Sequence, residues 1–121
     1  METVANVVVG LVAALHLYFL TVEMFLWNKP YGRRTFGLTP EFAASTASLA
    51  ANQGLYNGFL AAGLIWGLSL GGAAGFGVEV FFLTCVIVAG IFGAITANRK
   101  ILFVQAIPGA VALVLVHLAR L

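Results

Sequence analysis

Residues 42–78 read FAASTASLAANQGLYNGFLAAGLIWGLSLGGAAGFGV, with no Asp, Glu, Lys or Arg among them. A helix takes about 20 predominantly apolar residues to cross about 30 Å of hydrocarbon. This stretch is long enough for one crossing, a Gly-rich turn at 71–77 and the approach to another. Strands suit it poorly, because barrel strands are short and alternate with period two. What flanks the stretch then decides how many crossings there are.

Charge-free runs recur on both sides: Thr3–Val22 before it, then Val80–Asn98 and Ile101–Ala119 after it. Spanning helices are therefore expected at about 4–27, 48–69, 78–98 and 101–120. Thr39-Pro40-Glu41 supplies an N-cap, a first-turn proline and a first-turn acid, so the second helix starts near Pro40, ahead of the membrane. Residues 28–39 and the Gly71–Gly77 segment read as loops. The latter lacks a P-loop lysine and is a turn, not a phosphate cradle. Met1-Glu2-Thr3 lacks the positive region of a cleaved signal peptide. The expected fold is all-α, a polytopic four-helix transmembrane bundle forming a single domain over 1–121.

Composition agrees. The chain is 62% hydrophobic and 8% charged, where soluble domains carry about 25% charged residues. A soluble chain so composed would expose large apolar patches and aggregate. The net charge of +2 sits at the ends of apolar runs and forms no nucleic-acid-binding face, which needs many Lys and Arg together. Cys85 is the single cysteine, so no intrachain disulfide is available. Of the six basic residues, Lys29, Arg33, Arg34, Arg99 and Lys100 fall in the loops after the first and third spans, and only Arg120 falls on the other side. The positive-inside rule then makes loops 28–39 and 98–100 cytoplasmic and puts both termini outside a cell (inner) membrane. Membrane lipids are the expected surroundings.

Polar side chains within spans face a bundle interior or a cavity. At about 100° per residue, Asn6, Ala13, His16, Leu20, Glu23 and Trp27 share a face of the first span. His16 falls near mid-membrane and Glu23 about one turn below the cytoplasmic end. In the second span Ser45, Ser48, Asn52 and Tyr56 form a stripe flanked by Gln53 and Asn57. Gly54 and Gly58 lie opposite, a small-xxx-small pair suited to close helix contact. Thr96 and Gln105 fall at a similar depth, and Pro108 removes a backbone donor and kinks the fourth span. The outer half is nearly pure Ala, Val, Leu, Ile, Gly and Phe. This bias by depth marks Glu23, Asn52, Gln53, Tyr56, Asn57, Thr96 and Gln105 as the candidate ligand-binding set. Two plainer readings stand beside it: Glu23 snorkelling to the interface or pairing with Arg33, Arg34 or Lys100, and the amides fastening helices together. Trp27, Tyr31, Trp66 and His117 belong to the interfaces.

The segments His16–Trp27 (HLYFLTVEMFLW) and Ala51–Gly63 (ANQGLYNGFLAAG), with Thr96 through Gln105 to Pro108, resemble the small bacterial membrane proteins of domain-of-unknown-function family 1304. The resemblance covers essentially the whole chain, and Asn-Gln-Gly-Leu-Tyr-Asn-Gly is its most specific string. It implies a four-helix membrane protein and supplies no activity.

Three functional classes remain open from the residues. The first is binding or transport of a small molecule, proton-coupled through Glu23, with a homo-oligomer enlarging a narrow interior. The second is a membrane-embedded isomerase or hydrolase using His16 and Glu23 as acid and base on a small lipophilic substrate. It lacks a nucleophile elbow or metal-ligand spacing. The third is a structural subunit. No cofactor or metal is expected: haem ligation by His16 or His117 would rest on a lone histidine without an attachment motif.

Overall fold

Long apolar runs leave backbone N–H and C=O groups to satisfy one another, and the chain answers with helix almost throughout. The computed structural model describes every residue from Met1 to Leu121 and contains no strand. α1 spans Glu2–Thr21 and runs on into a π-helical turn, Val22–Leu26. α2 spans Pro30–Phe36, α3 Pro40–Leu70 and α4 Gly72–Thr96. A second π-helical turn, Leu102–Ala106, leads into α5, Ile107–Leu118. The all-α expectation holds. Two stretches are long and apolar enough to cross a membrane, Glu2–Leu26 and Gly72–Thr96, each of 25 residues. Leu102–Leu118 is apolar but shorter, and α3, at 31 residues, is diluted by Asn52, Gln53 and Asn57.

The start expected at Pro40 is observed, with the Phe42 N–H donating to Thr39 Oγ1 at 3.1 Å. Two segments expected to be loops are not. Within 28–39, Pro30 stands in the first turn of α2, and Gly37, in the left-handed region at φ 64°, ends that helix with its N–H on the Arg33 carbonyl. Proline at the start and glycine just past the end is the ordinary asymmetry of a short helix. The Gly-rich turn is likewise confined to Gly71 and Gly72, with φ of 64° and 58°. The rest of 71–77 is the first turns of α4, because two left-handed glycines suffice to reverse the chain.

The fold resolves into two compact units. The first comprises residues 1–14 and 60–121. Its core includes Val9, Leu64, Leu83, Val86 and Ala112, all fully buried. Glycines set its helix spacing. A Cβ on Gly90 would stand 2.6 Å from the Ala106 nitrogen, and one on Gly109 2.9 Å from a Val86 methyl. So α4 packs backbone-close against the second π-turn and α5. That turn sits where Pro108 lacks an N–H for the Val104 carbonyl, and the Ile107 N–H reaches back to the Leu102 carbonyl instead. The expected proline distortion thus takes the form of a π-turn. The second unit, residues 15–59, contains the end of α1, all of α2 and the first part of α3.

Candidate functional site

In residues 15–59, α3 meets the end of α1 through glycine. A Cβ on Gly54 would lie 2.7 Å from Met24 Cγ and 3.2 Å from the Leu20 carbonyl oxygen, and one on Gly58 2.7 Å from a Leu20 methyl. The small-xxx-small contact read from the sequence is therefore made. It carries Asn57, buried, to Glu23, half-buried. The Asn57 side-chain amide donates directly to Glu23 Oε1. That is the only hydrogen bond Glu23's side chain makes within the chain, so Oε2 retains its acceptor capacity.

Glu23 is the one polar residue of its π-turn, VEMFL. Such turns widen a helix locally and recur at functional sites. Neighbouring elements hold this one from several sides. A Cβ on Gly32 of α2 would collide with the Leu26 carbonyl and stand 2.9 Å from that of Trp27. The Trp27 indole N–H donates to Thr46 Oγ1 at 3.0 Å, and that hydroxyl donates to the Phe42 carbonyl at 2.7 Å. The Trp27 ring packs on Phe36 with centroids 5.2 Å apart, and the Tyr18 and Tyr31 hydroxyls share a hydrogen bond. Arg33 donates to Asn28, at 2.9 Å to its carbonyl and 3.3 Å to Oδ1, while Glu23 takes its hydrogen bond from Asn57.

The other candidates fall as follows. His16 is fully buried, its ring edge-on to Phe19 at 5.4 Å between centroids. Asn52, Gln53 and Tyr56 lie on the exposed face of α3 rather than on its glycine face. Thr96 is exposed, and its hydroxyl donates to the Phe92 carbonyl of its own helix at 2.7 Å. Gln105 is half-buried in the second π-turn, LFVQA, and is the one polar residue there. Within residues 15–59, then, a direct hydrogen bond joins the candidates Glu23 and Asn57. In neither unit do three His, Cys, Asp or Glu side chains gather as a metal would require.

Three features escaped the sequence reading. α2 could have been found from Pro30 and Gly37. The π-turn at Glu23 has no proline to announce it. Glu79, treated only as a break between runs, is buried early in α4.

A family model described as "Protein of unknown function (DUF1304)" matches residues 10–117. An uncharacterized protein, YpaA, of Lactococcus lactis subsp. lactis (strain IL1403) is 28% identical over 106 residues, covering 85% of this chain and 88% of that protein. No solved structure matches. The chain belongs to the DUF1304 family, whose function is unknown.

Proposed function

We propose that this chain is a multi-pass inner-membrane protein of four spans that binds a small cationic or hydrogen-bonding molecule at Glu23 and moves it in exchange for protons. Large side chains exposed on every long helix and on the second π-turn, among them Leu11, Leu49, Phe81, Ile95 and Phe103, support a lipid environment, since soluble monomers rarely present so much apolar surface. On this reading the basic segments 28–39, with α2, and 98–100 face the cytoplasm and Glu23 lies in the cytoplasmic half.

One observation carries the functional part. A carboxylate rare in such surroundings is held in a π-turn by a buried amide that occupies one oxygen and leaves the other. A purely snorkelling glutamate would need neither the turn nor the amide. Asn57 orients the acid and Oε2 receives the ligand or proton. Asn52, Gln53 and Tyr56, on the exposed face of α3, serve a second copy in the membrane, where unpaired amides are costly. Gln105 and Thr96 are tested separately by the same assay. Catalysis is the weaker reading, because the hydrogen bond at Glu23 comes from the Asn57 amide and not from the His16 ring that an acid–base pair would bring to it.

The test uses proteoliposomes loaded with a pH-sensitive dye and challenged with a panel of small amines and lipophilic cations. The wild-type protein should dissipate a proton gradient with at least one compound. Glu23→Gln, which keeps an acceptor for Asn57, should stay folded and lose that flux. Equal flux in the variant would end the proposal.

A further inference from the structure

The first unit contains a second carboxylate that the Glu23 reading does not use. Glu79 is 7% exposed, in α4. Its stem is clamped against α3: a Cβ on Gly67 would lie 2.7 Å from Glu79 Cγ and 3.2 Å from its backbone nitrogen. One on Gly75, a turn earlier in α4, would meet the Gly67 carbonyl at 2.5 Å. The helices cross here at backbone contact, which fixes where the Glu79 stem leaves α4. Within the chain its carboxylate has no hydrogen bond or ion pair, and neither oxygen is sealed away. The oxygens open onto a cavity of about 100 Å³ lined also by Glu2, Asn6, Phe76 and Arg120. Arg120 does not pair with Glu79; its guanidinium carbon sits over the Phe76 ring, 5.3 Å from the centroid. His117 meets the same ring edge-on at 5.1 Å.

We infer that this cavity is a binding site for a primary ammonium group on a small molecule or a lipid headgroup. A buried carboxylate without a partner is expensive, and an ammonium answers it with three donors and a full charge. Glu2 adds a second carboxylate to the lining and Asn6 an amide oxygen, both acceptors for an ammonium's remaining N–H bonds. Phe76 offers a ring face already used by a cation. The cavity is partly open, and its volume is below the roughly 150 Å³ that takes up benzene, which favours an ammonium head with a short carbon stem over a bulky quaternary amine. Arg120 is a competitor: it lines the cavity, and released from Phe76 its long side chain is a cation that can fill the place. The inference concerns a separate site from Glu23 and stands without it.

The test is thermal unfolding of the purified protein in detergent against ethylammonium chloride, with tetrapropylammonium chloride at equal ionic strength as the control. Ethylammonium should raise the midpoint and the bulky ion should not. Glu79→Gln should weaken the apparent affinity roughly tenfold or more, the loss of one charge-assisted bond. Glu2→Gln, at an exposed position, should weaken it several-fold, and this variant decides the matter if Glu79→Gln does not fold. Arg120→Gln should tighten binding, and Glu23→Gln should leave it unchanged. Repeating the wild-type measurement in nanodiscs with and without phosphatidylethanolamine separates the sources. A lipid ligand abolishes the response to free ethylammonium only where that lipid is present, and a soluble ligand preserves it in both. The inference falls if ethylammonium gives no stabilisation beyond the control, or if the response in Glu2→Gln and in any folded Glu79→Gln protein equals the wild type.

Discussion

At the scale of the residue, the pair Glu23–Asn57 makes two opposed predictions. Asn57→Leu removes the only donor to Glu23 Oε1 and leaves a half-buried carboxylate unserved, a loss of about 1–3 kcal/mol. Glu23→Gln keeps an oxygen for the Asn57 amide, so its loss should stay below about 1 kcal/mol. Thermal unfolding in detergent would show the order, and a larger loss for Glu23→Gln would mean that the acid matters to the fold through some other contact. Gly32 supplies a second test. Its absent side chain is what lets α2 lie on the Leu26 and Trp27 carbonyls, and backbone cannot yield as a flexible side chain does. Gly32→Ala should therefore cost about 1–3 kcal/mol. Glu23 and Asn57 were both legible in the sequence as polar residues in apolar runs. Their direct pairing was not, because it depends on which face of α3 the glycines draw inward.

At the scale of the element, glycine contacts decide which polar residues share a site. Gly54 and Gly58 seat α3 against the end of α1, and Asn57 follows them; Asn52, Gln53 and Tyr56 fall on the exposed face. Gly54→Leu should thus break the Glu23–Asn57 bond by separating the two helices. Gly77→Leu, at an exposed position of α4 with open space around it, should change stability little. A clear gap in unfolding midpoint between the two is expected, together with loss of Glu23-dependent flux in the first alone; equal midpoints would mean that the glycine seat is unimportant. Helix boundaries were largely legible: the start at Pro40 came from its cap, and the long runs from their lack of charge. The π-turns were harder. The one before Pro108 follows from a missing N–H, whereas the one at Val22–Leu26 accompanies the close seating of Gly32 and Gly54, contacts between segments distant in sequence.

At the scale of the whole molecule, two and four crossings place the loops on different sides of the membrane, a difference that labelling measures. Only Glu2–Leu26 and Gly72–Thr96 pass as spans on length and apolarity together. If these alone crossed, Thr35 and Ala73 would share one side of the membrane and Asn98 would lie on the other. With α3 and the Leu102–Leu118 stretch crossing as well, Thr35 and Asn98 share a side and Ala73 is opposite. The four-span arrangement also collects five basic residues of the chain's six on that shared side, which the positive-inside rule makes cytoplasmic. A two-span chain would divide them. Cys85 is the only native thiol, so single cysteines at Thr35, Ala73 and Asn98 in a Cys85→Ala background report each position separately. A membrane-impermeant maleimide should label Ala73→Cys in intact cells, and Thr35→Cys and Asn98→Cys only after permeabilisation. Labelling of Thr35→Cys together with Ala73→Cys would reduce the chain to two crossings. It would also take α3, and with it Asn57, out of the hydrocarbon, leaving Glu23 at a water-facing helix end, where a carboxylate needs no special site.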